Sequence, residues 1–273
     1  MNEAIAIKTF RDDLESYAQL QADLLAFGHR RVRVCVPERD LDLFRPLLAS
    51  GFELVSSERL LRRFAFREPV GESWLSQQLL KLLLVAASPT EACWVIDANT
   101  LLMRPLPDPW EDGRVVLALQ GLASSDRLWF AASAEFLGLP GAGPPIAPVN
   151  QPLRRSVVRA MLARIRGDHG RPAIDTLVGA MRAGSRRGSP LWTEYGLYRS
   201  FAFHLAPDAH LCVEGIRDVA YFHRDRQGRD LTAWLEAIRR SKPHMVKLYA
   251  RRPQYSLDVY EVARLCDQIR ECR

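Results

Sequence analysis

Ala92-Cys93-Trp94-Val95-Ile96-Asp97-Ala98-Asn99 is the stretch whose reading decides the fold. The apolar run from Ala92 to Ile96 has no polar alternation, which predicts a strand covered on both faces, as in a parallel sheet flanked by helices. Parallel neighbours need crossover connections, so helices should lie on either side in the sequence. Upstream, Trp74 to Ala87 reads as a strongly apolar helix, and Pro89 ends the segment. Downstream, Val115 to Leu119 reads as another buried strand.

The same alternation extends to the N-terminus. Ala4-Ile5-Ala6-Ile7 reads as a strand ending at Lys8-Thr9. Asp12 or Asp13 can cap a helix whose face carries Leu14, Tyr17, Ala18, Gln21, Leu24 and Leu25, with Gly28 behind it. Val32 to Val36 is a strand stopped by Pro37, Leu41 to Leu48 a short helix, and Phe52 to Val55 a third strand. Strands separated by helices predict a mostly parallel α/β sheet, in which ligands bind at the carboxyl ends of strands. The positions there are Thr9, Pro37 and Asp97. Gly138 to Pro152 holds three glycines and five prolines and reads as a loop, either a linker or a cover over a site. Beyond it come helices at Leu153 to Arg166, Ile174 to Met181 and Thr193 to Phe203. Short strands around Leu211 to Val213 and Val246 to Tyr249 follow, with helices at Leu231 to Arg239 and Leu257 to Ile269.

Composition bounds the function. With 48% hydrophobic and 26% charged residues over 273 positions, the chain has ample material for a core. Its most apolar stretch, Leu79 to Ala87, contains Lys81 and is far shorter than the roughly 20 residues a bilayer needs. The N-terminus has Glu3 and no basic run, so it does not read as a signal peptide. Five cysteines without a C-x-x-C pair suit a reducing cytoplasm, and Cys35 and Cys93 fall in strand-like runs as buried thiols. The net charge is +6, yet only four of the 38 basic residues are lysines: Lys8, Lys81, Lys242 and Lys247. The arginines are scattered, so the charge reads as solvated faces and not as a nucleic-acid surface.

Three groups of residues can carry chemistry. Asp97 emerges where a buried strand ends, and Asn99 follows at a spacing that suits oxygen ligation of Mg2+ or Mn2+. Such an ion would bridge a diphosphate and act as a Lewis acid toward it. The same residues also suit an ordinary turn. Trp74, Gln77, Gln78 and Lys81 share one helical face. Two amides and a point charge there can read a sugar or base and a phosphate, or form a plain solvent-facing stripe. In Trp192-Thr193-Glu194-Tyr195-x-x-Tyr198, Glu194 opens a helix capped by Thr193 or Ser189. It can favour the helix dipole or serve as general base among aromatics that suit sugar faces. Of the six histidines, His223 is the candidate to complete a metal site with Asp97 and Asn99.

In order, Ile7-Lys8-Thr9-Phe10 with Asp12, Trp74-x-x-Gln77-Gln78-x-x-Lys81, Trp94-Val95-Ile96-Asp97-Ala98-Asn99 with Arg104-Pro105, and Thr193-Glu194-Tyr195-x-x-Tyr198 resemble the GT-A class of nucleotide-sugar glycosyltransferases. More narrowly, they resemble an uncharacterised bacterial family of glycosyltransferase-like proteins. The resemblance spans roughly residues 4 to 200. It implies a GT-A-like α/β domain over 1–273. Residues 1–137 would form the nucleotide-sugar half, 138–152 the Pro/Gly loop, and 153–273 a mainly helical acceptor-side half. It implies a metal-assisted transfer of a sugar from a nucleotide-diphosphate donor to a saccharide or glycan-precursor acceptor. Thr9 and Asp12 would lie by the nucleotide, with Gln77 and Gln78 beside the donor and Lys81 on its phosphates. Asp97 and Asn99 would stand for the D-x-D pair, and Glu194 would face the acceptor or the transferred sugar. Asn99 departs from that pair by one negative charge, which weakens a cation site and leaves room for a non-catalytic glycan- or partner-binding relative.

Overall fold

The computed structural model describes residues 4–70, 74–121, 124–141, 143–187, 191–214, 219–223, 230–249 and 259–273. The apolar runs near the N-terminus form β1 (Ala4–Lys8), β2 (Val32–Val36) and β3 (Phe52–Ser56). Between them lie α1 (Leu14–Ala26) and α2 (Leu41–Phe44), a single turn that tightens into a 3-10 turn where Pro46 enters. Gly28 takes a φ of +81° just past α1, the left-handed turn that ends helices and that glycine adopts without a Cβ penalty. After α3 (Ser57–Arg63) and α4 (Trp74–Ala86), the stretch quoted first forms β4 (Ala92–Asp97).

The central sheet has the order β3-β2-β1-β4, completed by β8 (Pro152–Arg154); the first four strands are parallel and β8 is antiparallel. The chain fills one side of β1 with β2 and β3, then crosses to place β4 on the other. The strand order therefore reverses between β1 and β4, where α/β sheets open a crevice at their carboxyl ends. Lys8 and Asp97 are register partners at that point.

α4 is apolar nearly all round because it is covered nearly all round. It packs on β1, β2 and β4 and on α3, and its far side meets α6 (Arg155–His169), α7 (Ala173–Arg187) and α8 (Glu194–Leu205). Each of its buried leucines contributes about 1.5–3 kcal/mol of transfer free energy. The mixed α/β architecture, a mainly parallel sheet flanked by helices, is thus the one expected.

Two details differ from expectation. Val115 to Leu119 lies in β7 (Arg114–Leu119), but β7 does not join the central sheet. It pairs with β6 (Trp110–Glu111) and runs parallel to β9 (His210–Glu214). The reason is that β8 occupies the free edge of β4, with Cys93 opposite Leu153 and Trp94 opposite Pro152. The Pro/Gly-rich stretch, read as a linker or a cover, instead threads along β7. Gln120 donates its N–H to the Pro145 carbonyl, Ala147 donates to Ala118, and Ile146 and Ala147 are buried. α5 (Ser124–Phe136) precedes this stretch and packs on α8.

The last part adds a small sheet of β10 (Val219–His223), β11 (Met245–Tyr249) and β5 (Thr100–Leu102), with α9 (Leu231–Ser241) and α10 (Val259–Arg270) beside it. β5 directly follows the turn after β4, and Lys247 sits opposite Thr100. This pairing carries a residue 150 positions away to the end of β4. Among the described residues no helix is long and apolar enough to cross a membrane.

Candidate active site at the end of β4

Asp97 ends β4 at the point where the strand order reverses. Its backbone is fixed by the tail of the Pro/Gly stretch. The Asp97 N–H donates to Asn150 Oδ1 at 3.0 Å, and Asn150 Nδ2 donates to Thr100 Oγ1 at 3.1 Å. Asn150 holds a φ of +51°, a left-handed conformation that asparagine tolerates better than most side chains. Gln151 continues the ladder, receiving the Val95 N–H at 3.0 Å on its carbonyl. From the other side the Tyr195 hydroxyl donates to the Val95 carbonyl at 3.2 Å.

The polar stripe of α4 turns inward. Lys81 is 3% exposed, and its ammonium lies between Asp97 Oδ1 and Glu194 Oε1, the second contact at 3.0 Å. Gln78 Oε1 accepts the Glu194 N–H at 3.3 Å. Gln77 is half-buried one position away, and Trp74 is 44% exposed, tilted against Trp129 with ring centroids 5.2 Å apart. The solvent-stripe alternative therefore does not hold for Gln78 and Lys81: this part of the shared face looks at β4 and α8.

Glu194 is 2% exposed in the first turn of α8. Thr193 is the cap, its hydroxyl accepting the Gly196 N–H at 3.1 Å, while the Thr193 N–H donates to Ser133 Oγ at 3.0 Å. α5 and α8 approach so closely here that a Cβ on Gly196 would collide with Ser133 Oγ and stand 2.8 Å from Thr193 Oγ1. Gly196→Ala is expected to cost about 1–3 kcal/mol through overpacking, read as a lower urea midpoint; an unchanged midpoint would refute this packing. The aromatic neighbours of Glu194 do not present ring faces to a ligand. Trp192, Tyr195 and Tyr198 are buried, with Trp192 Nε1 donating to the Leu177 carbonyl and the Tyr198 hydroxyl accepting the Arg154 N–H.

Lys247 completes the cluster. From β11 its ammonium reaches Asp97 Oδ2, so each carboxylate oxygen of Asp97 faces a lysine. Lys8, at the end of β1, is buried on the register position beside Asp97 and donates to the Thr9 carbonyl at 2.5 Å. Three of the chain's four lysines thus gather at one strand end. Burial alone would raise the Asp97 carboxyl, but Lys247 and Lys81 outweigh it and hold the group far below the usual carboxylate range. Burial would lower the Lys81 ammonium, yet Asp97 and Glu194 push it up. Glu194 lies above its ordinary value, because burial and the nearby Asp97 charge outweigh Lys81.

The other expected positions are distributed around this centre. Thr9 is fully buried, its N–H donating to the Cys35 carbonyl, and its hydroxyl has no hydrogen-bond partner among the described residues. Asp12 is exposed in the turn after β1. His223 is the last residue of β10, not a loop residue, and its side chain lies outside the described ones. Asn99 anchors its amide on β11: Nδ2 donates to the Leu248 carbonyl at 2.7 Å, and the Leu248 N–H returns to the Asn99 carbonyl at 2.8 Å. With both oxygens of Asp97 on ammonium groups and the Asn99 amide engaged on β11, these residues as arranged do not fit Mg2+ or Mn2+. Among the described residues no three His, Cys, Asp or Glu side chains group to hold a metal.

The motifs of the sequence do not single out Lys247, Asn150 or Gln151. The scarcity of lysine among 38 basic residues is the available signal for Lys247, since a lysine kept in an arginine-rich chain suggests a need for a compact ammonium.

A model of a family of unknown function (DUF6492) matches residues 5–218. The chain belongs to this family. The match contains Lys8, Lys81, Asp97 and Glu194; Lys247 of this DUF6492 member lies beyond it. Among solved structures, this DUF6492 chain is similar to apo mouse xyloside xylosyltransferase 1, with 9% identity over 94% of this chain and 100% of that one and a TM-score of 0.48. It is also similar to the galactosyltransferase LgtC in complex with donor and acceptor sugar analogues, with 10% identity over 97% and 95% and a TM-score of 0.46. No curated protein matches it.

Proposed function

We propose that the chain is a glycosyltransferase that moves a sugar from a nucleotide-diphosphate donor to a saccharide or glycan-precursor acceptor. The observation that carries this reading is the gathering of Lys8, Lys81 and Lys247 with Asp97 and Glu194 at the reversal point of a parallel sheet. Ligands of α/β sheets bind at such points, and buried ammonium groups complement a diphosphate as point charges. On this reading Thr9 and Asp12 at the end of β1 lie by the nucleotide, and Gln77 and Gln78 beside the transferred sugar. Glu194 is the base that takes the proton of the acceptor hydroxyl. His223 ends β10, the strand paired with the one that carries Lys247.

The expected result is that a nucleoside diphosphate such as UDP or GDP raises the melting temperature. Saturation at a hundred times Kd corresponds to about 2.7 kcal/mol, or a shift of several degrees for a chain of this size. No shift with any nucleoside diphosphate or nucleotide sugar sinks the donor reading. A second reading, a non-catalytic glycan- or partner-binding protein, draws on the burial of Glu194 in an ion pair. It predicts glycan binding with no consumption of any nucleotide sugar.

A further inference from the structure

We infer that Lys247, together with Lys81, supplies at the end of β4 the positive charge that a divalent cation would otherwise supply, so that the diphosphate is bound without a metal. The inference rests on the donor reading above and concerns how that site meets its charge. Its ground is the occupancy of the Asp97 carboxylate. Lys81 comes from α4 and takes Oδ1; Lys247 comes from β11 and takes Oδ2.

Three independent features hold this arrangement. Lys247 is set by strand register, opposite Thr100 on β5. β5 follows β4 after a turn of two residues, so Asp97 and Lys247 are fixed on one small frame. Asn99, which would offer the second oxygen to a cation, is pinned to Leu248, the residue after Lys247, by its side-chain amide and by its backbone carbonyl. The residue that weakens a cation site by one negative charge thus also clamps the strand that carries the substituting ammonium.

The chemistry is balanced. A divalent ion on Asp97 and Asn99 would leave a net charge of about +1 from ion and carboxylate. Two ammonium groups bring the same two positive charges to that carboxylate, the one on Lys81 being shared with Glu194. A hard cation must strip the Asp97 oxygens of both ammonium groups before it can coordinate, and each is a charge-assisted contact in a largely buried setting. The diphosphate is therefore drawn to Lys247 and Lys81 directly, as to any fixed ammonium point charge.

The test uses the whole chain and two probes, Mn2+ alone and inorganic pyrophosphate. Mn2+ titrated into the protein and followed by the electron paramagnetic resonance of the free ion is expected to show no site that depends on Asp97. Binding that Asp97→Asn abolishes overturns the inference. Pyrophosphate, followed by calorimetry, is expected to bind with the same Kd in EDTA and in excess Mn2+. Lys247→Met should weaken it at least tenfold, and Lys247→Arg, which keeps the charge, should restore most of the loss. If Lys247→Met does not fold, the paired titrations of the unaltered protein still decide. Pyrophosphate binding that requires Mn2+ overturns this inference and leaves the donor reading standing. Failure of pyrophosphate and of every nucleoside diphosphate to bind, with or without Mn2+, overturns both.

Discussion

Lys81→Met is expected to lower the melting temperature by on the order of 10 °C and to abolish binding of a nucleoside diphosphate. The ammonium of Lys81 is the group shared by Asp97 and Glu194. Methionine keeps most of the volume of the side chain, so the loss is electrostatic and not a cavity. Asp97 retains Lys247, but Glu194 is left in a closed setting without its counter-charge. Removing one partner of a buried pair costs about 3–5 kcal/mol, and for a chain of this length each kcal/mol moves the melting temperature by roughly 2–4 °C.

The pH dependence gives a second readout of the same change. An orphaned Glu194 is pushed further above its ordinary value of 4.5, so the folded state holds a proton that the unfolded state releases. Stability from such a group is fully present below the unfolded value and is lost as pH rises through the folded one. The gap between Lys81→Met and the unaltered chain should therefore widen from pH 5 to pH 8. Adding Glu194→Gln to Lys81→Met should recover a large part of the loss, because a pair removed as a whole leaves no buried charge. A melting temperature within about 2 °C of the unaltered chain would refute the role given to this ammonium.

These expectations turn on residues of unequal legibility. β4 and α4 are readable because burial on both faces removes the polar alternation of a strand and leaves a helix apolar nearly all round. The run from Ala92 to Ile96 and the leucines from Leu79 to Leu84 carry that signal. The inward aim of Lys81 is half readable: its helical offset from Trp74, Gln77 and Gln78 gives a shared face, but not whether that face meets solvent or protein. The contacts that Lys247 and Asn150 make with Asp97 are not readable from spacing. Lys247 reaches it through the pairing of β11 with β5, and Asn150 through a left-handed turn. Neither long-range strand pairing nor a side-chain amide standing in for a ladder bond leaves a periodic mark in a sequence. The place of β7 is hidden for a related reason. A three-residue strand, Pro152–Arg154, takes the edge of β4, and a strand beginning at proline reads as the end of a loop.

The second large effect concerns Glu194 itself. With a competent donor and acceptor, Glu194→Gln is expected to reduce kcat by about 10²–10⁴-fold, the usual contribution of a positioned base, while the Kd for a nucleoside diphosphate changes little. Glutamine preserves the shape and keeps an oxygen for the contact with Lys81, so the Gln78 contact to the backbone N–H of residue 194 has no reason to move. What it removes is the ability to accept a proton. Burial and the Asp97 charge raise the Glu194 carboxyl, which makes it a stronger base than an exposed glutamate, while the Lys81 ammonium favours its ionised form. A base works in its ionised form, so kcat should fall as pH drops through the pKa of Glu194, above the ordinary 4.5. In Glu194→Gln that acid limb should vanish from the profile, not merely shift. A purely structural role predicts the opposite pattern: a lowered melting temperature, a kcat within about threefold of the unaltered chain, and an acid limb that persists.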